Sequence, residues 1–159
     1  MAASDDHSDR ALASADALGL SYQVTRHGPV RSLEEAAAAR GLEPAQVVKT
    51  IVVRLSDADY RFVLVPGDRE IAWPKLRALL GVNRLSMPSA DTAYQATGYV
   101  RGTITPLGST TRWPVVADTG VTGKVSLGAG AHGVALTVDA GELVTALGAT
   151  VADVTDPVA

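Results

Sequence analysis

Two apolar runs rich in β-branched residues, Lys49 to Leu55 and Tyr60 to Pro66, flank the polar tetrapeptide Ser56-Asp57-Ala58-Asp59. Each run has the length and composition of a buried strand, and the residues between them supply turn chemistry, so the pair is predicted as a β-hairpin. The first run carries a lysine at its mouth, in Val47-Val48-Lys49-Thr50-Ile51-Val52-Val53. Lysine is seldom fully buried unless it is paired or used, so an ammonium at the start of a core strand is expected to point into a cleft. The plainer alternative is a strand-end lysine whose stem follows apolar surface out to water.

Around this hairpin the chain alternates helices and strands. Ser8 to Leu18 reads as a first helix stopped at Gly19, and Ser21 to Thr25 alternates as a strand that exits through Arg26-His27-Gly28-Pro29. Ser32-Leu33-Glu34-Glu35 is a capping box: Ser32 accepts from the Glu35 amide, the Glu35 carboxylate reaches back, and an alanine-rich helix runs to Gly41. A helical turn near Pro44 leads into Lys49, and a loop at Gly67-Asp68 follows the hairpin. Trp73 to Leu80 and Ser89 to Ala96 are predicted helices, with Asn83 to Ser86 as a brief strand between them. Three apolar runs follow, Pro114 to Ala117, Lys124 to Leu127 and Val134 to Val138, the last two separated by a flexible turn at 128–133. Asp139 caps a final helix through Leu147, and Thr150 to Val154 is expected to close as an edge strand. Strands interrupted by unevenly spaced helices predict a mixed α/β (α+β) fold on one central, partly antiparallel sheet.

Composition narrows the function. With 159 residues and 47% hydrophobic content, the chain is expected to fold as a single domain, 1–159, with a flexible tail over 1–9. Cysteine is absent, which excludes a disulfide framework, thiolate metal sites and a cysteine nucleophile. Met1 to Asp9 is acidic and polar, unlike a signal peptide, and no apolar run approaches ~18 residues, so a soluble cytoplasmic protein without membrane partners is expected. A net charge of −3 argues against bulk electrostatic coating of DNA or RNA. A local patch remains open, since Arg69 to Arg112 holds Arg69, Lys75, Arg77, Arg84, Arg101 and Arg112 against Glu70 and Asp91.

The residues exclude some chemistries and favour one. His7, His27 and His132 are far apart and lack partners at ligand spacing, so neither a metal nor any other cofactor is expected. No nucleophile elbow is present, and the 128–133 segment joins strands and does not open a helix, which weakens a dinucleotide-binding reading. The segment Gly98-Tyr99-Val100-Arg101-Gly102-Thr103-Ile104-Thr105-Pro106-Leu107-Gly108 is different. Its glycines permit close backbone approach and Pro106 fixes the exit, so it can present amides and carbonyls to a ligand, although a tight bend between strands would look the same. A lysine facing such a loop suits an anionic or carbonyl-bearing group, and the compatible reaction is ester hydrolysis by water without a covalent nucleophile.

The order Val47-Val48-Lys49-Thr50, then Gly98 to Gly108, then Gly130-Ala131-His132-Gly133 before a leucine-containing helix resembles the YbaK/EbsC family. These are free-standing aminoacyl-tRNA deacylases related to the editing insertion domain of bacterial prolyl-tRNA synthetase. The resemblance spans about Leu12 to Val154 and implies a six- to seven-stranded mixed sheet flanked by helices. It also implies hydrolysis of the ester joining a wrong amino acid to the tRNA 3′ end. By this resemblance Lys49 is the required lysine, and Gly102, Thr103, Ile104, Thr105 and Pro106 line the aminoacyl pocket, with Gly102 helping to position the attacking group. Thr50 and His27 form a second tier, and Gly130, His132 and Gly133 lie in a loop where relatives carry basic residues. The sequence departs from relatives specific for cysteine at Thr25, where they carry tyrosine, and at Gly102-Thr103, where they carry paired glycines. The expected substrate is therefore a small aminoacyl ester (alanine, cysteine, serine or threonine) on the 3′ end of aminoacyl-tRNA. An aminoacyl-tRNA synthetase is a further possible partner. The competing readings are a non-catalytic aminoacyl- or nucleotide-binding module that docks on a synthetase, and a hydrolase of some other small ester or amide.

Overall fold

The computed structural model describes residues 6–158. In chain order its elements are α1 (Ser8–Ala17), β1 (Tyr22–Arg26), α2 (Leu33–Arg40), a short 3-10 turn (Pro44–Gln46), β2 (Val48–Ser56), β3 (Asp59–Pro66), β4 (Arg69–Ile71), α3 (Trp73–Leu80) and α4 (Ala90–Thr97). Then come β5 (Val115–Asp118), β6 (Lys124–Gly128), β7 (Val134–Asp139), α5 (Ala140–Leu147), β8 (Thr150–Ala152) and β9 (Thr155–Pro157). The predicted hairpin forms, with β2 antiparallel to β3 from Val48 opposite Pro66 to Ser56 opposite Asp59.

The strands build a mixed sheet with one weak seam. One part runs β1-β7-β6 and is antiparallel; the other runs β2-β3-β5-β8, where β5 lies parallel to β3 and to β8. These seven strands correspond to the expected sheet, but the parts meet through a single parallel bridge from Val47 to Ser126. A third sheet pairs β4 with β9, two short polar segments that carry no strand pattern in the sequence.

Alternation along the hairpin separates two cores, because successive strand residues face opposite sides. Val48, Val52, Phe62, Leu64, Val115 and Ala117 pack with β6, β7, α1 and α5 on one side. Val53, Val63, Val65 and Val116 pack with Ile71, Leu76 of α3 and Val154 on the other. Full burial of each such valine, leucine, isoleucine or phenylalanine side chain contributes about 1.5–3 kcal/mol, so β3, covered on both faces, anchors the fold.

The helices start where their caps are written. Ser32, Ser89 and Asp139 accept from the amides of Glu35, Thr92 and Glu142. The reciprocal half of the first capping box is shifted: Glu35 Oε2 accepts from the Arg31 amide at 2.5 Å, one residue before Ser32. Other expectations need correction. The stretch at 83–86 forms no strand, only a bridge from Ser86 to Arg54, because it touches β2 at one residue. The last strand ends at Ala152, since the chain then turns and Val154 gives its carbonyl to Ala72 before β9 pairs with β4. Within the stretch 1–9 the His7 amide donates to the Gly130 carbonyl and α1 begins at Ser8; residues 1–5 lie outside the described residues. Among the described residues no helix is long and apolar enough to cross a membrane.

Candidate functional site

Past the Val47–Ser126 bridge the two parts of the sheet separate, and a cavity of about 530 Å³ occupies the gap. Its walls are β2 from Val48 to Val52, Gly128 at the end of β6, the start of α4 with Met87 to Ala90 and Ala93, and the loop residues Arg101, Gly102 and Ile104. Arg40, Lys49 and Arg101 supply its charged lining, and no carboxylate among the described residues lines it. An apolar cleft with cations and no acids suits a ligand carrying negative charge or a polarised carbonyl.

Lys49 reaches this cavity from β2, where it stands opposite Val65. Its Nζ donates to the Arg69 carbonyl at 2.6 Å, so the ammonium is neither loose in the cleft nor free in water. Burial lowers its pKa, and the nearby carboxylates of Glu70 and Asp68 oppose that shift. The acceptor carbonyl is itself held: Arg69 Nε donates to Thr155 Oγ1 at 2.6 Å and Arg69 Nη2 to the Thr155 carbonyl at 3.1 Å. The unforeseen β4–β9 sheet thus fixes the lysine from behind. An ammonium has three donors and the Arg69 carbonyl takes one. Thr50, next along the strand, also lines the cavity, and its Oγ1 is buried without a partner.

The glycine-rich loop forms the opposite wall. Thr103 N donates to the Val100 carbonyl at 3.0 Å, closing a four-residue turn in which Gly102 has φ +88°. That third position of a type II turn favours glycine, which has no Cβ to clash in the left-handed region. The loop is closed at its base by Tyr99, fully buried, whose hydroxyl donates to the Leu107 carbonyl at 2.6 Å. Arg10 stacks on the Tyr99 ring at 4.4 Å and its Nη2 donates to the Gly98 carbonyl at 2.7 Å. Gly130 N donates to the Thr103 carbonyl at 3.0 Å, and a Cβ at Gly130 would lie 2.8 Å from Tyr99 Cε1. The 128–133 segment, expected to be flexible, is therefore a clamp on this loop.

Of the residues singled out by sequence, Lys49, Thr50, Gly102 and Ile104 meet in the cavity. Thr103 and Thr105 are buried and turned to the loop's own backbone: Thr103 Oγ1 donates to Val100, and Thr105 Oγ1 accepts from Leu107 N. Pro106 lines a separate recess between α1 and α5. His132 is exposed beside the cavity's edge, its Cε1 3.3 Å from where a Gly102 Cβ would stand. Thr25 sits in β1 opposite Ala135, and His27 N donates to the Gly133 carbonyl, so Thr25, His27, Gly130 and Gly133 support the clamp and do not line the cavity. The anticipated basic face is partly neutralised, since Lys75 pairs with Asp153 and Asp156 and Arg69 Nε lies 4.0 Å from Asp118 Oδ2. Sequence reasoning missed Arg40, Arg101 and the α4 entrance. Arg40 closes an alanine-rich helix, where a cation reads as a partner of the helix dipole.

A mixed α/β domain with a cationic cavity set into a sheet seam is the class that fold and site define. The chain belongs to the aminoacyl-tRNA editing domain family, whose profile matches residues 27–146. It is 36% identical over 96 residues to the proline--tRNA ligase of Thermosipho melanesiensis and 33% identical over 102 residues to that of Geobacter sp. (strain M21). These matches cover 60% and 64% of the chain but only 17% and 18% of the ligases. Among solved structures, the hypothetical protein APE2540 superposes with a TM-score of 0.82 at 30% identity, covering 92% of this chain and 99% of that one. A candidate trans-editing enzyme for prolyl-tRNA synthetase shares the fold, with a TM-score of 0.85 at 24% identity over 98% and 99% of the two chains.

Proposed function

We propose that this chain is a deacylase that hydrolyses mischarged aminoacyl-tRNA carrying a small amino acid. The observation that carries the reading is the meeting of Lys49, Thr50, Gly102 and Ile104 in one cavity of an editing-family domain, with no carboxylate among the described residues that line it. In this reading the aminoacyl end of the tRNA enters between β2 and the 101–104 loop. A water oxygen bonds to the ester carbonyl carbon, and negative charge develops on the carbonyl oxygen. Lys49, held as a donor by the Arg69 carbonyl, stabilises that charge as an ammonium. The ester C–O bond then breaks, a proton passes to the ribose oxygen, and free amino acid and tRNA leave. A general-base role for Lys49 would need it neutral; burial lowers its pKa in that direction, and Glu70 and Asp68 oppose the shift.

The closed loop gives the amides around Gly102 fixed positions, so recognition of the end of the acceptor strand requires little rearrangement. A shape-fitted single-stranded end is compatible with the net acidic chain. The test is release of amino acid from a panel of mischarged tRNAs. Cleavage of one or a few small-residue esters above the no-enzyme control is expected. Retention of aminoacyl-tRNA without turnover across the panel would replace this reading by a binding module.

A further inference from the structure

Arg40 presents a charge that the protein leaves unbalanced. It ends α2 and lines the cavity, yet its only hydrogen bond among the described residues runs from Nη1 to Ser126 Oγ at 3.3 Å, a long contact to a neutral acceptor. Its Nε is buried and has no partner. No carboxylate among the described residues pairs with it, and burial alone lowers its pKa, in contrast to Lys49, which has Glu70 and Asp68 nearby. A guanidinium remains protonated in such surroundings, so the desolvated charge persists. Withdrawing an ion from water is costly unless an opposite charge or a full set of acceptors compensates. Thr50 Oγ1, buried and unpartnered in the same cavity, repeats the pattern of polar groups left without protein partners.

The geometry of what remains is specific. With Nη1 turned to Ser126, Nε is buried without a partner, and the side-on edge that it forms with Nη2 meets no acceptor among the described residues. That edge matches two oxygens of one oxyanion group, and such two-pronged bonds are stronger and more directional than a single neutral one. We propose that Arg40 is an oxyanion-binding residue of this cavity, its Nε–Nη2 edge taking two oxygens of the bound substrate. The proposal rests on the deacylase reading only for the source of the oxyanion: a phosphate near the tRNA terminus, or the side-chain carboxylate of an acidic acyl group.

The test follows the Arg40 Nε–H resonance in a heteronuclear NMR spectrum, assigned by its absence from Arg40→Met. AMP supplies the phosphate and N-acetylaspartate the carboxylate. Wild-type protein is expected to show a saturable downfield shift with one of them at millimolar concentration, and the tighter of the two names the source. Arg40→Lys keeps the charge but loses the fork, and should bind that anion about tenfold more weakly. If neither anion moves the Nε–H signal, or if Arg40→Lys binds as tightly as wild type, the proposal is overturned. No ester is cleaved in this measurement. A protein that shows the shift but hydrolyses no mischarged tRNA would overturn the deacylase reading alone, and an active deacylase with a silent Nε–H would overturn this one alone.

Discussion

The two edges of β2 behave in opposite ways. Toward β3 it is paired from Val48 to Ser56, whereas toward β6 the ladder shrinks to the bridge between Val47 and Ser126. The paired edge feeds two cores, and the open edge holds the cavity with Arg40, Lys49 and Thr50. A strand that is completed on one side supplies rigidity, and the same strand left incomplete on the other supplies unpaired polar groups for a ligand. Stability and function are therefore expected to separate across a few ångströms of one strand.

Damage to the closed edge gives the largest expected effect. Phe62→Ala removes a side chain that is 1% exposed and should cost about 3–5 kcal/mol in urea unfolding, lowering activity only through loss of folded protein. On the open edge Lys49→Ala should reverse that balance. Deacylation is expected to fall by about two to three orders of magnitude, as when one charge-stabilising donor is removed, with the unfolding midpoint little changed. Equal losses of stability in the two variants would dissolve the contrast between the edges.

Smaller changes sharpen it. Gly102→Ala forces a side chain to φ +88° with a Cβ 3.3 Å from His132 Cε1, and should cost about 1–2 kcal/mol of stability while raising KM more than it lowers kcat. Ser89→Ala removes the cap of the helix at the cavity entrance, for about 1 kcal/mol in thermal unfolding. The smallest effect is on pH. Burial has lowered the Lys49 pKa from its ordinary 10.5, so a rate that needs the ammonium is complete below the lowered value and lost as pH rises through it. Glu70→Gln removes a carboxylate that raises this pKa, and the alkaline limb of the enzyme-dependent rate should move to lower pH. A rate that instead rises with pH through this pKa would show that the neutral amine is the active form.

Much of this arrangement is legible in the sequence, and what is not shares a cause. The helices declare themselves through Ser32, Ser89 and Asp139, whose side chains act within three residues, and β2 and β3 through local β-branched runs. Lys49 and Gly102 stand out because a lysine before an apolar strand and a glycine in a fixed turn are local anomalies. The pairing of Arg69–Ile71 with Thr155–Pro157 joins two short, polar segments far apart in the chain, and no local period marks it. The seam is equally non-local, because whether Ser126 meets Val47 once or along a full ladder depends on the whole sheet. Arg40 was hidden for that reason, since its surroundings are made by β6 and not by its own helix.

The claim that the seam cavity receives the aminoacyl end is tested most directly by NMR with a hydrolysis-resistant analogue, terminal adenosine bearing alanine through an amide link. Backbone signals of Lys49, Thr50, Gly102, Ile104 and Gly128 should shift together, while those of a second cleft, lined by Arg54, Arg77 and Arg84, stay in place. Shifts confined to that second cleft, or none at the seam with saturating analogue, would contradict the account.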